Sequence, residues 1–130
     1  MIKKTVHLVI IIIFLVTVCV WEEIAVNNYL DMIDDKASVL QTIVSKTEDV
    51  DSEEILFAVE NLEEIWRLKE KTFCVILNHQ QVEVIGVEIA RLKGCVVNND
   101  KTEFVLGLSA IRFYVDNLSH INGLSLQNLI

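Results

Sequence analysis

His79 and Glu83 are the residues whose types and spacing come nearest to chemistry. Four apart on a helix, an imidazole and a carboxylate share one face and can share a metal ion. Two ligands leave a site incomplete, and no second His or Cys pair has ligand spacing. The plainer role for His79 is a turn or cap. Asp49, Asp51, Glu53 and Glu60 are spaced like the ligands of a calcium loop, but Glu54 stands where that loop needs glycine, and a helical pattern starts at Ile55. Acids there suit a helix start, where carboxylates meet the positive end of the dipole. Ser119 and His120 put a nucleophile beside a base in sequence only. Adjacent helix residues diverge, and no acid is placed to orient the imidazole. The residues predict no catalytic group and no cofactor, with His79 and Glu83 the one weak metal candidate.

Whatever these residues do is positioned by a membrane helix. Residues 5–21 contain no acid, Lys or Arg, and most are Val, Ile, Leu or Phe. As a helix they span about 25 Å at 1.5 Å per residue. The hydrocarbon core is roughly 30 Å thick, so the span is short but adequate. Val6, Leu8, Ile10, Ile12, Phe14 and Val16 would face lipid, with Trp21 at the far interface. Lys3 and Lys4 precede the span and no base follows it closely, which predicts a cytoplasmic N-terminus at residues 1–4 and an extracytoplasmic domain at residues 22–130. Cleavage after the span would need small residues at the cut, and the chain reads Trp21-Glu22-Glu23-Ile24-Ala25. A lipoprotein would need a small residue before Cys19, where Val18 stands. An uncleaved anchor is the preferred reading over both.

The chain has 130 residues, so the part beyond the anchor is one small domain. All 19 acids lie after Trp21; nine of the 11 basic residues also do, leaving ten excess negative charges outside. Nucleic acid is excluded as a partner, because binding it requires clustered Lys and Arg. Anionic headgroups should also repel this surface. The cysteines number three, Cys19, Cys74 and Cys95. An odd count argues against a disulfide framework, and a turn near His79 would set Cys74 opposite a residue well short of Cys95. Two buried thiols are expected.

Proline is absent and only four glycines occur, which disfavours a sheet protein. The apolar pattern is helical. Val26, Leu30, Ile33, Ala37, Leu40 and Val44 form one stripe; Ile55, Val59, Leu62, Trp66 and Phe73 form a second, interrupted by Lys69. Val82, Ile85, Ile89, Leu92 and Val96 form a third, and Phe104, Leu108, Ile111, Val115 and Leu118 a fourth. Such spacing gives each helix one apolar seam. Leu62, Trp66, Ile89, Leu92, Leu108 and Val115 are the candidate core. Asp51 with Glu54, and Asp100 with Glu103, read as capping boxes. Asn122-Gly123 reads as a stop; near residues 79–81 a phase shift favours a turn, with one long helix from Ser52 to Val97 as the alternative. Glu88 and Arg91 read as an exposed pair. The first stripe follows the anchor with no breaker between. The fold class is therefore all-α: an N-terminal transmembrane helix followed by an antiparallel bundle of about four helices, or two stacked α-hairpins.

The lysine-led apolar start, the acidic helix with Trp66, the run Ile76-Leu77-Asn78-His79-Gln80-Gln81-Val82, then Ile89-Ala90-Arg91-Leu92-Lys93, Asn99-Asp100-Lys101 and a Leu-rich final helix together resemble the bacterial family called domain of unknown function 4363. The resemblance covers nearly the whole chain. It implies a small protein with one N-terminal anchor, helical outside, without an established activity, accompanying a larger multi-spanning membrane protein. The family's His is usually followed by acids and Ile; here Gln80, Gln81 and Val82 stand in those places.

Function follows as an expectation: a membrane-anchored, non-catalytic interaction module that meets lipid through its anchor and a membrane protein through its bundle, with self-association possible through its seams. The alternative is a cation- or small-ligand-binding sensor at the membrane surface. A wall-active hydrolase ranks last, because no carboxylate is marked by a motif.

Overall fold

The computed structural model describes the backbone of residues 1–129 and the side chains of residues 1–120. The described residues form four helices: α1 (Ile2–Ser45), α2 (Glu53–Ile76), α3 (His79–Val97) and α4 (Lys101–Leu129). No strand occurs among the described residues.

The length of α1 follows from what it lacks. No Gly or Pro occurs between Ile2 and Ser45, so nothing ends the helix where the apolar segment stops, and its 44 residues run about 66 Å. Apolar segment and first bundle helix are thus one rod. Its first half is exposed all round: Leu8, Ile10, Ile12, Phe14 and Val16 each keep half or more of their surface. Its second half buries one stripe, Val26, Leu30, Ile33, Ala37, Leu40 and Val44. Among the described residues α1 is the one helix long and apolar enough to cross a membrane.

Neighbouring helices run antiparallel in the ring α1–α4–α3–α2, and α2 closes on α1 more thinly than the other sides. The stripes meet at the centre. Leu62, Trp66, Ile89, Leu92, Leu108 and Val115 are all buried there, together with Phe73 and Phe104. Each such side chain contributes roughly 1.5–3 kcal/mol on leaving water. Gly107 lets α3 and α4 approach closely, since a Cβ there would meet Leu92 Cδ2 at 2.9 Å.

The helix ends differ in part from the sequence reading. Ser52, not Asp51, caps α2, accepting from the Ile55 N–H at 3.3 Å. The turn between α2 and α3 falls at Leu77-Asn78, before His79, because the Asn78 side chain accepts from the N–H groups of Gln80 and Gln81 at 3.1 and 3.2 Å. Asp100 accepts from the Glu103 N–H at 3.1 Å, but Glu103 turns away to Arg91, so the box is half made. Asn122-Gly123 does not stop α4, which continues to Leu129. A lone glycine costs a helix about 1 kcal/mol and ends it only when the chain turns left-handed there.

Candidate functional site

The thin side of the ring leaves an open groove of about 550 Å³ between α1 and α2. Met32, Val39 and Ile43 of α1 and Ala58 of α2 supply its apolar lining; Asp31, Asp35 and Lys36 supply charge. Helical spacing produces this: 28, 32, 35, 39 and 43 lie on a stripe of α1 beside the buried one. Val39 keeps 59% of its surface, so the groove exposes apolar area the bundle does not use.

Tyr29 joins α1 to α2. Its hydroxyl donates to the Ile65 carbonyl, and its ring meets Phe73 edge-on at 5.4 Å. Burial raises its pKa above the usual 10.0. Phe73 in turn lies 5.5 Å from the Trp66 ring. The Trp66 indole N–H is buried with no hydrogen-bond partner among the described residues, near the glycine surface of Gly86, where Glu70 also reaches.

His79 opens α3, and its Nε2 lies 2.9 Å from Glu83 Oε1, one turn on. Both side chains are more than half exposed, and among the described residues no group of three His, Cys, Asp or Glu could hold a metal ion. The geometry gives a surface pair with two potential ligands on one side.

The calcium-like acids disperse. Asp49 accepts from Asn99 Nδ2 at 3.0 Å, Glu53 lies in the first turn of α2, and Glu60 faces Lys93 at 4.0 Å. Among the described residues no three of them gather to hold a cation. Ser119 is half-buried and His120 exposed. Lys69 is exposed where the α2 seam opens. Arg91 lies 2.7 Å from Glu103 and 3.8 Å from Glu88, so its stronger partner is on α4 rather than on its own helix.

All three cysteines are free. Cys95 is buried, but Cys74 is only half-buried, contrary to the expectation of two buried thiols, because it sits one position off the Phe73 seam. Desolvation raises both thiol pKa values; the Glu70 and Glu83 charges add to the effect at Cys74, and the Asp100 charge at Cys95.

Two polar constellations escaped sequence reasoning. Asn99 adopts φ 52°, closing α3 in a Schellman motif: its N–H donates to the Val96 carbonyl and that of Asp100 to Cys95. Its side chain accepts from the Val50 N–H at 2.8 Å while donating to Asp49. Lys101 Nζ donates to the Thr47 carbonyl at 2.5 Å. These bonds tie the α1–α2 loop to the α3–α4 turn. The second constellation is Arg112, which donates to Asp34 at 2.9 Å and Gln41 at 2.8 Å, joining α4 to α1. The signal that could have found the first is Asn99 itself, since Asn tolerates a left-handed conformation; the partners across the loop had no local signal.

No curated protein and no solved structure matches the chain. The family described as Domain of unknown function (DUF4363) matches residues 20–129, starting at the end of the apolar half of α1 and covering the whole bundle. The chain belongs to the DUF4363 family.

Proposed function

We propose that this protein is a membrane-anchored, non-catalytic interaction module. Its N-terminus lies in the cytoplasm, α1 crosses the cell membrane over residues 5–21, and the acidic bundle stands on the far side. The observation carrying this reading is the continuity of α1. One unbroken helix is apolar and exposed around its whole circumference in its first half and packed into the bundle in its second. In water such a surface is unfavourable by about 25 cal/mol per Å², and lipid removes that cost. A rigid joint also fixes the bundle's height and orientation. Tethering then raises its effective concentration beside a neighbour in the same membrane.

The neighbour in this reading is a multi-spanning membrane protein, and the surface on offer is the α1–α2 groove. Crosslinking in native membranes with an amine-reactive reagent, followed by mass spectrometry, tests it. Adducts to an integral membrane protein through Lys36 are the expected result. A phosphatase fused after Ile130 should be active, since that enzyme matures only outside the cytoplasm. An inactive fusion of normal abundance would overturn the topology, and with it the tether.

The cation-sensor reading has one observation in its favour, the His79–Glu83 contact. Calorimetry of the detergent-solubilised protein with zinc, manganese and calcium decides it; no heat and no shift in melting temperature would end that reading.

A further inference from the structure

The α2–α3 turn carries apolar surface where a small soluble bundle has no use for it. Val75 keeps 87% of its surface and Ile76 keeps 47%. Neither lies on the α2 seam, which ends at Phe73. The place of this turn along the molecule says what covers it.

The register comes from Tyr29 and Phe73, whose rings meet at 5.4 Å. Side chains on a helix lean toward its N-terminus, so in this antiparallel pair the two rings lean toward each other. Phe73 Cα therefore lies nearer the apolar end of α1 than Tyr29 Cα does. Continuing α2 by three residues brings Ile76 level with residues 23–26 of α1. At 1.5 Å per residue that is roughly 3–8 Å beyond Trp21. The headgroup layer outside the hydrocarbon core is roughly 5–7 Å deep on each side. Since α1 is one helix, no hinge separates the span from this level.

We infer that the α2–α3 turn is a second membrane contact, in which Val75 and Ile76 enter the headgroup layer of the membrane that α1 crosses. The inference rests on the anchor reading above and goes beyond it, because a tether alone would leave the turn in water. The occupant is zwitterionic phospholipid. Glu22 and Glu23 lie near the same level, so apolar area rather than attraction to anionic headgroups drives the contact. Two contacts restrict the tilt of the whole rod in the bilayer, which one span alone leaves free.

The test uses the full chain in phosphatidylcholine nanodiscs, with a photoactivatable diazirine side chain replacing Ile12, Val75 or Val97 in three separate variants. Val97 is the control for exposure: it keeps 78% of its surface but lies at the other end of α3. Each replaced side chain is exposed, so folding is preserved. Lipid adducts at Ile12 and Val75, and none above background at Val97, are expected. Adducts at Ile12 without adducts at Val75 overturn the second contact and leave the anchor standing. Equal yields at Val75 and Val97 also overturn it, since they mean unspecific lipid collisions. Loss of adducts at Ile12 overturns the anchor and the contact together.

Discussion

At one end of the bundle, polar groups cross from loop to loop. Asn99 joins the α3–α4 turn to Asp49 and Val50, and Lys101 reaches Thr47. At the opposite end, α2 passes into α3 through Leu77 and Asn78, held by the Asn78 cap, while Val75 and Ile76 face outward. Both ends make a helix reversal and both leave a valine exposed, Val97 at one and Val75 at the other, but among the described residues only the first is laced from loop to loop. A buried Val50 needs its N–H satisfied, which Asn99 does. Exposed apolar residues impose no such demand. On the proposal above, the first end faces water and the second meets lipid headgroups.

The comparison is tested most severely through the core layers behind each end. Phe104→Ala, behind the laced end, and Phe73→Ala, behind the apolar end, should each cost about 3–5 kcal/mol in urea unfolding of the solubilised protein. A much smaller loss for Phe73→Ala would mean that the apolar end is loosely packed rather than differently solvated. Next comes the lacing. Asn99→Ala removes two side-chain bonds and strains a left-handed residue, for a loss of about 2–3 kcal/mol; Asn99→Gly relieves the strain and should lose about half as much. Equal losses would assign the effect to the hydrogen bonds alone.

Caps should not distinguish the ends. Ser52→Ala and Asn78→Ala each remove one side-chain cap and should cost about 1 kcal/mol by the same unfolding assay. The smallest effect is the pH response of Tyr29. Its folded pKa lies above 10.0, so its stabilisation is complete below pH 10 and is lost as pH rises through the folded value. Tyr29→Phe should flatten the part of the stability profile above pH 10. A profile unchanged by that substitution would show that the phenol does not titrate with unfolding.

Much of the architecture was legible from residue order. The seam positions from Val26 to Leu118 are buried, because a helix of fixed pitch turns spacing into a face without further information. Lys69 marked where the second seam opens. The caps were less legible. Asp51 carries the expected cap, yet its neighbour Ser52 makes it, because both side chain types suit an N-cap and the path of the loop decides between them. Of the candidate site, His79 and Glu83 were legible as a pair because both lie on one helix. The groove was not, since it arises from how closely α2 approaches α1.

Residue order by itself determined the helices, their seams and the apolar circumference of the chain's beginning, all consequences of local geometry and of transfer from water. The tertiary structure decided which helices are neighbours, that the ring is thin on one side, and that Asn99 spans two loops while Val75 and Ile76 stand outside. Those outcomes depend on contacts between residues tens of positions apart, whose energies are set by distance in space, which no pattern along the chain encodes.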